Sequence, residues 1–185
     1  IVVGTYWFAR KVISHQVGLT SALVLATCLM MIGLSRMAIT DMTLSFFMVS
    51  TTMCLFLAAH ENRRWWLMAG VFSGLGILTK GPVAIVVPGA IFVVYTLLTK
   101  QFLYAVWNRW LLLGTLTAIL FALPWYIAAY LENGQYFLDT LIFNNMTRFK
   151  ATVSGHYQKW YFYPIVLAAG FLPWTIYLPK SIVQY

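Results

Sequence analysis

The stretch Lys80-Gly81-Pro82 places one lysine between two apolar runs, where a cation could meet an anion. Glycine suits the end of one helix and proline the first turn of the next, so we expect the chain to reverse direction here. An ammonium group beside a helix N-terminus attracts phosphate and similar anions. A lysine at the edge of a membrane can instead face a water-filled cavity or extend to lipid headgroups, and the spacing leaves these alternatives open.

Asp41 is a second candidate, because it follows Thr40 at the expected start of a helix. Its carboxylate either lines a site or caps the first helical turn, and the sequence supports both interpretations. Further along, Arg148 offers a guanidinium that suits phosphate recognition. His156 and Tyr157 place an imidazole among aromatic rings, which fits either a catalytic cavity or a simple position at the membrane interface.

The sequence does not predict a metal site. It contains no zinc-type Cys/His spacing, no Gly-rich nucleotide loop and no serine-nucleophile motif. One carboxylate in a short loop does not make a cation site, so dependence on a divalent metal or another cofactor stays open.

The composition of this 185-residue chain is that of an integral membrane protein. Hydrophobic residues make up 62%, charged residues make up 9%, and the mean hydropathy is +0.81. A soluble domain is about 45–50% apolar and about 25% charged. The net charge of +8 does not indicate nucleic-acid binding, because the basic residues lie in small groups between apolar runs.

Apolar runs separated by short polar breaks predict an all-α, polytopic transmembrane helical bundle that fills residues 1–185 as a single domain. We expect the end of a span at 1–9, then spans at 12–35, 42–59, 65–79, 82–99, 110–131 and 160–179. That is roughly six full spans and one partial span. The longest polar stretch, at about 132–159, is expected to form a loop.

Successive spans alternate sides of the membrane, so the breaks fall into two sets. The first set has seven Lys or Arg residues and one acid, and the second has five and three. The positive-inside rule places the first set in the cytoplasm. Its basic residues are Arg10, Lys11, Arg63, Arg64, Lys100, Arg109 and Lys180. The candidate site residues therefore all fall on the outer face.

The helix before Lys80 carries Gly70, Gly74 and Gly76. Small residues four positions apart let transmembrane helices approach closely, so we expect this face to pack against another helix.

Several short motifs occur in order along nearly the whole chain. They are Arg36-Met-Ala-Ile-Thr-Asp41-Met42, Gly76-Ile-Leu-Thr-Lys80-Gly-Pro82, Leu123-Pro-Trp-Tyr126, Asn144 through Arg148-Phe149, His156, Trp160-Tyr-Phe-Tyr-Pro164 and Leu172-Pro-Trp174. Together they resemble the membrane core of the bacterial protein-mannosyltransferase-like glycosyltransferases. That family includes the aminoarabinose transferases that modify lipid A.

The resemblance implies a GT-C architecture in the bacterial inner membrane, with an active site at the periplasmic face. It implies a sugar donor linked to polyprenyl phosphate and an acceptor that is a lipid A-like glycolipid, a protein or another molecule. Lys80 and Arg148 would bind the donor phosphate, which is the leaving group. Asp41, His156 and Tyr157 would line the cavity.

One feature of the family has no match here. Its main catalytic acid lies in an outer loop between the first two helices, which would precede Ile1. We therefore expect this chain to be a piece of a longer protein, to lack the main base and to be inactive alone. The sequence does not specify the sugar, the acceptor or the oligomeric state.

The alternative is a transporter or flippase of an anionic lipid or solute, since a lysine at a broken helix also fits such proteins. That function would predict comparable functional groups on both faces and a second break in the other half of the chain. The inner breaks instead show paired basic residues typical of anchors.

Overall fold

The computed structural model describes residues 1–37, 39–143 and 161–183, and these residues contain helices but no strand. The all-α prediction is therefore confirmed. The helices are α1 (Val2–Val12), α2 (His15–Thr27), α3 (Leu29–Ser35), α4 (Thr40–His60), α5 (Trp65–Lys80), α6 (Val83–Leu98), α7 (Phe102–Val106), α8 (Arg109–Asn133), α9 (Gln135–Ile142), α10 (Phe162–Gly170), a 3-10 helix (Trp174–Tyr177) and α11 (Leu178–Val183).

Two of the described helices, α4 and α8, are long and apolar enough to cross a membrane, with 21 and 25 residues. The count rises to four if each of two bent pairs forms one span. Helices α5 and α6 have 16 residues each, or about 24 Å at 1.5 Å per residue, which is shorter than a hydrocarbon core of about 30 Å. The larger number of spans expected from the sequence stays a prediction.

The predicted single span at 12–35 is broken into α2 and α3, which meet at an angle of 64°. Cys28 adopts an extended conformation between them, with φ −64° and ψ 133°. The break is stabilised from a distant part of the chain. The Leu29 N–H donates to the Leu172 carbonyl at 3.0 Å, and Trp174 Nε1 donates to Thr27 Oγ1 at 2.8 Å.

The predicted loop at about 132–159 also differs from the structure at its start. Helix α8 continues to Asn133, and α9 follows directly after Gly134. The remainder of that loop, from 144 onward, lies outside the described residues. The predicted polar break around 100–109 contains the short helix α7.

The chain divides into two compact units. The terminal unit comprises Ile1–Met42 and Gly155–Tyr185, and the central unit comprises Thr43–Ser154. In the terminal unit α1 packs on α2, and α10 packs on α3. The central unit contains the rest of α4 together with α5 to α9, and its most extensive helix contact joins α5 and α8.

Helices α5 and α8 run parallel and very close together. A Cβ atom added at Gly70 would overlap the Gly114 carbonyl oxygen, and one added at Gly74 would lie 2.7 Å from the Ala118 carbonyl oxygen. This confirms that the small residues of α5 allow close packing, and α8 supplies a matching seam of Gly114, Ala118 and Ala122. Parallel packing also agrees with alternating spans, because two spans separated by one intervening span cross the membrane in the same direction.

Candidate functional site

The turn at Lys80 has the structure that its sequence predicts. Helix α5 ends at Lys80, and Gly81 follows with φ 80° and ψ −157°, a conformation open essentially to glycine alone. The Gly81 N–H donates to the Ile77 carbonyl at 2.8 Å and closes the helix. Pro82, with φ −61°, precedes the first residue of α6.

The Lys80 side chain is exposed at the C-terminal end of α5, where the helix dipole favours a cation. The backbone amides nearby are largely committed within the turn. The Ala84 N–H donates to the Gly81 carbonyl at 3.3 Å, the Ile85 N–H donates to the Pro82 carbonyl at 3.0 Å, and proline has no N–H. Attraction of an anion to this turn therefore depends mainly on the Lys80 ammonium, and less on backbone donors than the sequence suggested.

Tyr126 of α8 lies beside this turn, a position that the sequence did not predict. Its hydroxyl donates a long hydrogen bond, 3.5 Å, to the Ile77 carbonyl that also accepts the Gly81 N–H. The motif Leu123-Pro-Trp-Tyr126 contributed to the family resemblance but was not placed in the site. Its position at the same end of a parallel helix as Lys80 is the signal that could have found it.

An aromatic cluster forms around Tyr126. The rings of Trp125, Tyr126 and Phe137 meet edge to face, with centroid separations of 5.2, 5.8 and 6.0 Å. Trp125 is 53% exposed. Tyr126 thus links this aromatic cluster of α8 and α9 to the Ile77 carbonyl in the last turn of α5.

Asp41 is half-buried and lies in the first turn of α4. The helix begins at Thr40, so Asp41 lies inside the first turn and not ahead of it. A carboxylate is favourable there because of the helix dipole, whether or not it also faces a substrate. Asp41 belongs to the terminal unit and Lys80 to the central unit.

The other predicted site residues, Arg148, His156 and Tyr157, lie outside the described residues. Within the described ranges, no group of three His, Cys, Asp or Glu side chains is arranged to hold a metal ion.

Replacing Gly81 by alanine is expected to destabilise the protein by about 1–3 kcal/mol, because a Cβ atom strains this backbone conformation. The strain is relieved only if the turn changes, which would move Lys80. We therefore expect Gly81→Ala to lower both the unfolding temperature and the affinity of this turn for an anion. Gly33→Ala is the control, since Gly33 is helical and an added Cβ meets nothing within 4 Å. Equal behaviour of the two variants would contradict this role for Gly81.

The fold is that of a helical GT-C membrane domain. The crystal structure of ArnT from Cupriavidus metallidurans in the apo state matches with a TM-score of 0.79 and 25% identity, over 97% of this chain and 33% of that chain. The crystal structure of the same protein bound to undecaprenyl phosphate matches with a TM-score of 0.78 and 24% identity, over 97% and 34%.

Residues 1–127 match the family model described as dolichyl-phosphate-mannose-protein mannosyltransferase. The match covers well over half of the chain, and the chain belongs to this family. The resemblance inferred from the ordered motifs is thereby confirmed.

Curated relatives carry a more specific description. Undecaprenyl phosphate-alpha-4-amino-4-deoxy-L-arabinose arabinosyl transferase of Erwinia tasmaniensis is 28% identical over 96% of this chain and 33% of the relative. The protein of the same description from Aeromonas hydrophila is 27% identical over 96% and 33%. The chain spans about a third of the length of the curated relatives that it matches. With its apolar helices, this similarity supports a multi-pass membrane protein.

Proposed function

We propose that the protein containing this chain transfers a sugar from a polyprenyl-phosphate donor to an acceptor at the periplasmic face of the bacterial inner membrane. The main structural support is Lys80, which is exposed at the break between α5 and α6. The chain is also similar along almost its whole length to arabinosyl transferases that are named for an undecaprenyl-phosphate donor. ArnT of Cupriavidus metallidurans, which shares the fold, has been crystallised with undecaprenyl phosphate.

The proposed reaction is an inverting transfer. A base takes the proton from an acceptor hydroxyl, the hydroxyl oxygen bonds to the anomeric carbon, and the bond from that carbon to the phosphate oxygen breaks. The electron pair leaves with the polyprenyl phosphate. Lys80 and Arg148 are proposed to neutralise the charge that grows on this leaving group. Asp41, His156 and Tyr157 are proposed to line the cavity, and the main base is proposed to lie outside residues 1–185.

The acceptor is proposed to be a lipid A-like glycolipid or a protein. The resemblance to aminoarabinose transferases that modify lipid A favours a lipid, and the family description names a protein mannosyltransferase.

The proposal is tested by reconstituting the full-length protein in vesicles with a polyprenyl-phosphate sugar labelled in the sugar. A glycosylated acceptor with release of polyprenyl phosphate is the expected result. Movement of the labelled lipid across the bilayer without bond cleavage would instead establish the flippase alternative. Neither product nor movement, for protein shown to be folded, would contradict both functions.

The proposed orientation of the chain in the membrane can be tested by labelling single cysteines introduced at two exposed positions of the central unit. Gln135→Cys, at the start of α9, is expected to react with a membrane-impermeant maleimide added to intact spheroplasts, and Gln101→Cys is expected to react only after permeabilisation. Both positions are exposed, whereas the native Cys28 and Cys54 are buried and give little background. The reverse labelling pattern would place Lys80 on the cytoplasmic side and overturn the periplasmic assignment.

A further inference from the structure

The charges of the central unit are unevenly distributed between its two ends. Four of the five basic residues that the structure describes in this unit lie at the end where α5 and α8 begin, and Lys80 lies at the other end. Of the three acids described in the unit, only Glu61 lies at the end with the four basic residues, whereas Glu132 and Asp139 lie near the end of α8 and in α9. At least three of these positive charges are therefore not matched by an acid among the described residues of the unit.

Two of the basic residues, Arg63 and Arg64, occupy the turn between α4 and α5, and hydrogen bonds fix this turn. The Arg64 N–H donates to Asn62 Oδ1 at 2.9 Å, and the Trp66 N–H donates to the Arg63 carbonyl at 3.1 Å. The Arg63 guanidinium lies over the Tyr104 ring of α7, with Cζ 4.4 Å from the ring centroid. Such a cation–π contact restrains the guanidinium but does not neutralise its charge. Its planar set of N–H donors suits a phosphate group, which it can bind through paired hydrogen bonds.

Helix α7 indicates the depth at which this arginine lies in a membrane. Ala105 is buried in the core, whereas Leu103, Tyr104 and Trp107 are 77%, 66% and 88% exposed. Exposed Trp and Tyr rings are typical of the headgroup level of a bilayer. Because Arg63 contacts the Tyr104 ring, its guanidinium lies at the level where a bilayer carries its phosphates.

The excess of positive charge favours a lipid with a net negative charge. A zwitterionic headgroup would bring an ammonium group next to arginines that outnumber the one acid, Glu61. An anionic headgroup adds only negative charge. Each basic residue near an anionic membrane surface raises the affinity by about fivefold.

We propose that the α4–α5 turn and α7 bind an anionic glycerophospholipid, with its phosphate on Arg63 and Arg64 and its acyl chains beginning along Leu103 and Trp107. The proposal does not depend on sugar transfer. The site lies at the opposite end of the central unit from Lys80, so this lipid is distinct from the proposed sugar donor.

The test uses the full-length protein in phosphatidylcholine nanodiscs that contain a phosphatidylglycerol with a diazirine in its acyl chain. Both faces of a nanodisc have the same lipid composition, so the result does not depend on the orientation of the chain. Label mapped by peptide mass spectrometry is expected on α7. Unlabelled phosphatidylglycerol is expected to compete at least about 5-fold better than phosphatidylethanolamine at equal mole fraction.

Two results in the unmodified protein would overturn the proposal. Equal competition by the two lipids would show that the charge of the headgroup is not recognised. Absence of label from α7 would show that something other than a lipid covers this surface, such as an acidic protein segment outside residues 1–185.

Arg63→Met is expected to lower the affinity for phosphatidylglycerol, measured by this competition, by about 5-fold or more. Arg10→Met is the matched control. It removes the same charge from an arginine that also lies over a tyrosine ring, with Cζ 5.9 Å from the Tyr6 centroid, and that is predicted to lie on the same side of the membrane. Arg10→Met should leave the affinity at α7 unchanged. Equal losses in the two variants would indicate a general attraction to anionic lipids and would overturn a site at Arg63.

A second pair of variants tests whether Tyr104 positions the guanidinium. Tyr104→Leu removes the ring and is expected to lower the affinity for phosphatidylglycerol by about 2- to 5-fold, the range for a cation–π contact at an exposed site. Tyr104→Phe keeps the ring and is expected to keep the affinity. Unchanged affinity in Tyr104→Leu would overturn the placement of the phosphate on an arginine held by this ring.

Discussion

Replacing Lys80 by methionine in the full-length protein is expected to slow sugar transfer by about 100- to 1,000-fold, the effect of removing one preorganised donor from a site of developing charge. Methionine keeps the apolar stem of lysine and removes only the ammonium. Because Lys80 is the last residue of α5 and is exposed, the substitution does not disturb the core. Loss of rate can then be attributed to the charge.

The physical reason lies in the charge of the leaving group. In the proposed donor, the phosphate is a diester with one negative charge. After the bond to the sugar breaks, it becomes a monoester with a charge near −2 at neutral pH. A cation at Lys80 stabilises the second charge more than the first, so kcat should fall by a larger factor than KM rises.

Two further variants distinguish this role from extension of the lysine to lipid headgroups. Lys80→Arg keeps the charge and is expected to retain much of the activity. Lys100→Met removes an exposed lysine from the predicted cytoplasmic face and should leave transfer unchanged. If Lys80→Met and Lys100→Met transferred sugar equally well, Lys80 would be a membrane anchor and not a phosphate ligand.

The break at Lys80 could be predicted from the sequence because its causes are local. Gly81 permits a backbone conformation that other residues avoid, and Pro82 cannot continue the preceding hydrogen-bond pattern of a helix. The break at Cys28 could not be predicted in the same way. No proline or glycine marks it, and the Leu29 amide finds its partner at Leu172, far along the chain.

The surroundings of Lys80 could be predicted only in part, because they also depend on contacts between residues far apart in the sequence. Alternating spans place Tyr126 and Lys80 at the same end of the bundle, but the hydrogen bond from Tyr126 to the Ile77 carbonyl depends on the register of α5 against α8. That register is set by how Gly70 meets Gly114, which a single sequence does not reveal. The proposed roles of Arg148, His156 and Tyr157 rest on the family resemblance, since these residues lie outside the described ranges.

Replacing Gly70 by alanine is expected to destabilise the protein by about 1–3 kcal/mol, the usual cost of forcing an extra methyl group into a packed core. The new Cβ would overlap the Gly114 carbonyl oxygen of α8. Gly89→Ala is the matched control, because its Cβ meets nothing within 4 Å. That variant should be neutral or gain up to about 1 kcal/mol from helix propensity. The measurement is the apparent unfolding temperature of the detergent-solubilised protein, and equal temperatures for the two variants would show that the seam is not tight.

The clash at Gly70 cannot be relieved by a side-chain movement, because the opposing atom belongs to the backbone of α8. The helices must separate or slide, and in a parallel pair such a shift also changes the distance between Tyr126 and the Ile77 carbonyl near Lys80. At temperatures where Gly70→Ala stays folded, we therefore expect slower sugar transfer, measured as a lowered kcat/KM that comes mainly from kcat, as for Lys80→Met. Gly114→Ala, whose Cβ would lie 2.5 Å from the Trp66 carbonyl oxygen, should show the same pair of effects. A loss of stability with unchanged kcat/KM in both variants would mean that the seam supports the fold but does not position the Lys80 turn.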